Sequence, residues 1–429
     1  MNQSTPENEN AKSLIVVGAG IVGVSTAIWL ARDGHRVTLI DREGPASGTS
    51  FGNAGILANS SIAPVQSPGL LAKAPGMLFG RDGPLFLKWG YLPKLLPWLK
   101  RYLSYCTVSE VERIAAALMP IIGDSVDQHL AIARGTPAER FIEYVDYTYA
   151  YTDRAAYEKD PLAWRIRREH GFQCDEVDDA ELHDAEPNLT PQMRFGVRLP
   201  GHAWIRDPGE YVKALCDYAQ SLGVELKIAT VRSLVQEGIR VTGVETDAGK
   251  LTADAVVVTS GFWSKALLEP LSVHVSMESE RGYHIELVDA QGGPSMPIAL
   301  AAFKFIATPM NGRLRLAGLV EFGGDEAPAS EAPYQLLLRQ AQRAFPDLRW
   351  ESENRWLGHR PATEDSIPAI GSVCPGAYTA FGHHHVGLTG GPKTGRIIAD
   401  LVSARTPNFD MSPYAPGRFT VEYKSPDGR

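Results

Sequence analysis

The turn Gly18-Ala19-Gly20-Ile21-Val22-Gly23 constrains the fold of this 429-residue chain more than any other feature. Residues 14–18 (LIVVG) predict a buried parallel strand, 21–33 a helix, and 36–40 (RVTLI) a second strand ending at Asp41. This order, strand, glycine turn, helix, strand and acid, is what gives the glycine spacing its meaning. Gly18 permits the tight turn, Gly20 lets the backbone approach a pyrophosphate, and Gly23 lets helix pack closely on strand. The free N–H groups at the start of the helix, Ile21 and Val22 among them, face the anion. Asp41, followed by Arg42, stands where a carboxylate accepts hydrogen bonds from a ribose hydroxyl pair. The unit therefore predicts adenine-dinucleotide binding, and the spacing alone does not choose between NAD and FAD.

Composition narrows the class of protein. Hydrophobic residues make up 44% and charged residues 21%, the mixture of a soluble globular enzyme. A net charge of −8 offers nothing to a nucleic-acid backbone. Cys106, Cys174, Cys216 and Cys374 are scattered without metal-type spacing, which predicts a reducing compartment. The opening MNQSTPENEN is polar, reads as a frayed tail rather than a signal peptide, and leads to a cytoplasmic expectation. Residues 85–99 (LFLKWGYLPKLLPWL) are apolar but broken by two lysines and two prolines, too short to span a bilayer. They predict helical cover for a second lobe. The alternative is a peripheral patch touching the inner face of the cell membrane or an electron-accepting partner.

Further motifs extend the binding unit. The loop 47–56 (SGTSFGNAGI) carries Thr49, Ser50, Asn53, Gly55 and Ile56, with hydroxyls and amides to wrap a pyrophosphate or reach a flavin ring. Residues 255–261 (AVVVTSG) predict a buried strand whose end, at Gly261, rejoins the dinucleotide lobe. Asp207-Pro208 reads as an N-cap before a helix over 208–221, and 223–245 alternate as strands. Near the C-terminus, GLTGGPKTGRIIADLV predicts a glycine-rich turn feeding a helix from about Pro392, its positive end beside the cofactor. The triplet His383-His384-His385 invites a metal reading. On an extended segment adjacent rings point apart, and no second cluster has ligand spacing, so no metal site is expected.

Together, VVGAGIVGVSTAIWLARDGHRVTLID, TSFGNAG, VVVTSGFWS, RGYHIEL, GHRPATEDSIPAIG and FGHHHVGLTGGPKTGRIIADL resemble the D-amino-acid-oxidase superfamily, closest to its bacterial D-amino-acid dehydrogenase branch. The resemblance implies FAD, with backbone near Val231 at the adenine and Gly387, Thr389, Gly390 and Thr394 along the isoalloxazine edge. A related branch bonds flavin through a cysteine placed near Gly358. Cys374 comes after the acidic motif, so non-covalent FAD is expected. The implied substrate is an amino or imino acid, with hydride passing from its α-carbon to flavin N5 and electrons leaving to a quinone or carrier protein. A D-hydroxyproline or D-proline dehydrogenase, an oxygen-using glycine or sarcosine oxidase, and a non-catalytic FAD-holding subunit are the alternatives.

A substrate carboxylate calls for arginine, which binds it bidentately. Arg360 of GHRPATED and Arg281 of ERGYH stand in the matching motifs, the alternative for each being an ion pair with Glu278, Glu280 or Glu364. Tyr283 and His284 alternate on a strand, so one of them faces the pocket. His384 or His385 is expected to line it. No acid–base residue is assigned, because the implied chemistry needs orientation rather than a protein nucleophile.

The expected architecture is α/β. A Rossmann-like FAD lobe is built from 1–65, 205–265 and 355–415. A second α+β substrate lobe, 66–204 and 266–354, holds a mixed, largely antiparallel sheet with helices at 105–135, and 416–429 form a tail. RGYHIEL, FKFIATPM and RLRLAGLVEFG predict antiparallel strands of the pocket wall.

Overall fold

The protein is described by a computed structural model covering residues 11–419; the expected N-terminal tail, and the C-terminal one from residue 420, lie outside the described residues. The β-branched run Ser13–Val17 forms the centre of a six-stranded sheet, its inward residues fully buried. Arg36–Asp41 and Ala255–Val258 flank it in parallel register, with Glu225–Ile228 and Ala377–Phe381 outside them. Only the edge strand Ala369–Cys374 runs antiparallel. The first helix, Ile21–Arg32, follows the glycine turn at once and packs on a last long helix, Gly387–Val402. Asp207 accepts from the Glu210 amide at 3.1 Å and caps helix Pro208–Ser221, as the Asp-Pro pair predicts.

The second sheet has ten strands and is largely antiparallel. Met277–Val288 lies between Ser352–Thr363 and Arg313–Phe322, and the latter pairs with Phe305–Met310, so the three predicted wall strands pair as expected. Ile56–Leu57 joins the far end of this sheet, beside Phe195–Ile205. A separate three-stranded sheet contains Val231–Glu237, Arg240–Thr246 and Gly249–Thr252.

Two local expectations need correction. Residues 85–99 are not helical throughout: Leu85–Leu87 adds a parallel strand to Arg313–Phe322, and the helix starts only at Leu92. The helices Val108–Ile122 and Ser125–Ala133 pack on the dinucleotide lobe, in one core with the first and last helices, rather than over the second sheet. Ile121 and Ile122 of the first of these pack where Gly390 of Gly387–Val402 leaves room.

Candidate active site

The glycine turn behaves as its spacing dictates. Gly18 has φ +105°, and a Cβ there would lie 2.8 Å from the Thr259 carbonyl. A Cβ on Gly23 would lie 1.8 Å from the Gly18 oxygen, so this position serves helix-on-strand contact and does not line the cavity. The Asp41 carboxylate accepts from the amides of Ala19 (2.8 Å), Glu43 (2.9 Å) and Gly44 (3.0 Å), tying the strand end to the turn. Ser50 Oγ accepts from the Ile21 amide at 3.0 Å, at the mouth of the first helix.

These groups border a cavity of about 740 Å³, the size of a cofactor site. Gly18, Gly20, Ile21, Val22, Asp41, Arg42, Thr49, Ser50, Asn53, Val231, Gly261 and Gly387 all line it. Two helix N-termini, at Ile21 and Gly387, therefore meet one space, the arrangement a dianionic pyrophosphate and an electron-rich ring both favour. Arg42 lies over the Trp263 ring at 4.2 Å, and both line the cavity.

Besides Gly23, five expected cofactor contacts lie off the cavity lining. Gly55 is pinned against the Ile205 carbonyl, and Ile56 is a buried strand residue paired with Trp204. Thr389 Oγ1 donates to the Ile56 carbonyl, Gly390 packs on Ile121, and Thr394 pairs with His383. The cause is the helix start. Gly387–Val402 begins five residues before the expected Pro392, so the glycine run is a helix face rather than a loop. Pro392 has no amide to give Leu388, four residues back, and buried His129 Nε2 donates to that carbonyl instead at 2.9 Å. Tyr211 donates to the other ring nitrogen at 2.7 Å, and burial lowers the His129 pKa to about 4, which keeps the ring neutral.

On the second sheet, alternate residues of a strand turn to opposite faces. Arg281 and Tyr283 share one face and are both engaged by Glu321, which corrects their expected substrate role. Arg281 is fully buried 3.3 Å from Glu321, a partner outside the three acids considered, and Tyr283 donates to Glu321 at 2.6 Å. The opposite face carries His284 and the cross-strand pairs Gly282–Gly358 and Glu280–Arg360. His284 donates to the Gly52 carbonyl and stacks on Trp356 at 4.9 Å; burial and then Arg315 lower its pKa to about 2.

Trp356 fills a slot made by two glycines: a Cβ on Gly52 or Gly358 would lie 1.9 Å or 1.8 Å from its ring. A cysteine at 358 has no room there, and none of the four cysteines lines the cavity, so no thiol reaches a flavin.

Arg360 lies across Gly282, whose Cβ would sit 2.6 Å from the guanidinium carbon. Its one hydrogen bond goes to the Leu319 carbonyl at 3.4 Å, and no carboxylate among the described residues comes within ion-pair distance. Arg360 keeps partial and His385 substantial accessible surface, although protein atoms crowd both. His384 lines the main cavity and donates through Nε2 to the Thr363 carbonyl at 2.9 Å. The histidine triplet is a tight helical turn rather than the extended segment assumed, and no group of three metal-ligating residues is found among the described residues.

Trp356, Trp263 and Arg315 escaped the sequence reading. Arg315 donates to the carbonyls of Phe51 (2.7 Å) and Asn53 (2.5 Å) and pairs with Glu286, clamping the small-residue loop against the sheet. Its signal was there: Arg313 and Arg315 place two charges at strand spacing within an apolar run.

The family profile described as "DAO: FAD dependent oxidoreductase" matches residues 13–401. A D-amino-acid oxidase from Bradyrhizobium diazoefficiens is 37% identical over 95% of this chain and 99% of its own. D-amino acid dehydrogenase 2 from Ralstonia nicotianae is 32% identical over 94% of this chain and 100% of its own. Among solved structures, glycine oxidase from Geobacillus kaustophilus shares the fold at TM-score 0.71 and 22% identity, covering 95% of this chain and 99% of its own. With its glycine cradle, paired helix termini and cavity in place, the chain belongs to the DAO family of FAD-dependent oxidoreductases.

Proposed function

We propose that the protein oxidises the α-carbon of a D-amino acid and passes the electrons to a quinone or another carrier. The observation that carries this reading is Arg360, a crowded but partly accessible guanidinium next to cavity-lining Gly358 and His359, with no carboxylate in ion-pair contact. Burying a charge is costly, and a substrate carboxylate bound by two parallel hydrogen bonds offsets that cost. FAD, when bound, would accept the hydride that leaves the substrate's Cα–H bond with that bond's electron pair. The chain's own residues orient and enclose. Arg360 fixes the carboxylate, Trp356 walls the pocket, and the loop held by Arg315 presents Thr49, Ser50 and Asn53 to the cofactor. The imine product hydrolyses in water to a keto acid and ammonia.

The D configuration is supported by the names of relatives above 30% identity, an oxidase and two dehydrogenases among them. The oxidase name favours a second reading, with oxygen as acceptor. Parallel assays of peroxide release and dye reduction separate the two. A panel of D- and L-amino acids, including proline and hydroxyproline isomers, identifies the substrate by anaerobic bleaching of the flavin.

A further inference from the structure

Residues 65–101 differ in character from the rest of the surface. Of eleven large hydrophobic residues exposed among the described residues, five fall here: Val65, Leu71, Phe79, Trp89 and Leu96. Leu71 is 69% exposed, Phe79 71% and Trp89 57%, and the two rings stack on each other at 5.8 Å in open solvent. Helix Leu70–Phe79 (LLAKAPGMLF) has no buried residue although its composition suits a core. Exposed apolar side chains gathered in this way mark a contact surface.

Charge names the occupant. The segment holds four lysines and two arginines against one acid, Asp82, a net +5 within a chain of −8. Asp82 is already bound by Arg339 and Arg343, which bring further positive charge. Among the described residues, Lys73, Arg81, Lys88, Lys94 and Lys100 have no ion-pair partner. A second copy docked face to face would set these cations against their equals. Tryptophan, phenylalanine and leucine interleaved with free lysines suit a bilayer interface instead, where apolar rings insert and cations meet lipid phosphates.

We infer that residues 65–101 dock the protein on an anionic phospholipid surface. The patch adjoins the candidate active site: Leu85–Leu87 pairs with Arg313–Phe322, and Leu95 and Trp98 of the same segment cluster with Ala362, two residues from Arg360. Docking there brings a lipid-dissolved electron acceptor to the site. That purpose rests on the proposed quinone or carrier reading, whereas the surface itself does not.

The test is sedimentation of the full-length flavoprotein with vesicles, without substrate, so its failure is separate from any failure of amino-acid oxidation. Wild type is expected to bind vesicles containing about a third phosphatidylglycerol, to ignore pure phosphatidylcholine, and to be released by salt. Leu71→Ser/Phe79→Ser/Trp89→Ser and, separately, Lys73→Glu/Lys94→Glu/Lys100→Glu should each weaken binding at least about tenfold. Flavin content and anaerobic flavin reduction should stay unchanged in both. Wild type that stays in the supernatant with anionic vesicles overturns the inference. So do variants that bind as well as wild type, and so does a wild-type dimer that the serine variant converts to monomer.

Discussion

Arg360 carries its charge inside the protein beside two glycines, Gly282 and Gly358, whose missing side chains leave room for the guanidinium and for Trp356. If this charge holds the substrate carboxylate, lysine cannot replace it, because an ammonium lacks the planar fork. Arg360→Lys is expected to raise KM for the amino acid about a hundredfold with flavin stoichiometry unchanged, read by steady-state kinetics and bound-flavin absorbance. His129 supports a second prediction. Its pKa is about 4 when folded because burial disfavours the charged ring, against about 6.5 when unfolded. Between these values the unfolded chain binds more protons, so stability present above pH 6.5 declines as pH falls towards 4, by about 3 kcal/mol from this residue. His202 and His383 act in the same direction. Tm should therefore drop across that window, and less steeply in His129→Gln, where an amide replaces the titrating donor. A pH-independent Tm there would contradict the neutral buried ring. Arg360 stands out in the sequence because its motif is local. Arg281 was not excluded in advance, because its partner Glu321 stands forty residues on, in the neighbouring strand, where no local motif points to it.

The contact between the first and last helices fixes both N-termini on the cavity. It depends on Gly395, where a Cβ would lie 2.6 Å from the backbone of Ser25 and Thr26. Gly395→Ala is expected to force the helices apart, lowering stability by about 1–3 kcal/mol and weakening FAD retention, as thermal unfolding and flavin release on dilution would show. An alanine variant with unchanged Tm would mean that the helices tolerate sliding. The first helix and its strands could be read from sequence to within a residue, since period, turn and acid lie within thirty positions. The last helix was misplaced at its start because proline commonly opens a helix. Here His129, 259 residues away from Leu388, supplies the bond that Pro392 cannot, and no local pattern reveals such a partner.

At the scale of the molecule, two sheets share one cavity: the parallel sheet brings the glycine turn, and the antiparallel sheet brings Trp356, Gly358 and His359, with Arg360 next in the strand. Both lobes were legible as classes, because buried parallel strands and alternating wall strands differ in pattern. The helices 108–133 were assigned to the wrong neighbour, since an amphipathic stripe states that it is buried but not against what. The joint between lobes was equally hidden. It rests on Arg315 reaching the carbonyls of Phe51 and Asn53, some 260 residues earlier in the chain.

The central claim is that this joint presents an amino acid, held by Arg360, to FAD. Mixing the purified yellow protein anaerobically with single D-amino acids and their L-enantiomers, and following visible flavin absorbance, tests it most directly. Rapid bleaching by at least one D-amino acid, absent with its L-enantiomer and slowed in Arg360→Lys, is the predicted result. A flavin that stays oxidised with every D-amino acid, or bleaches equally in wild type and Arg360→Lys, would contradict it.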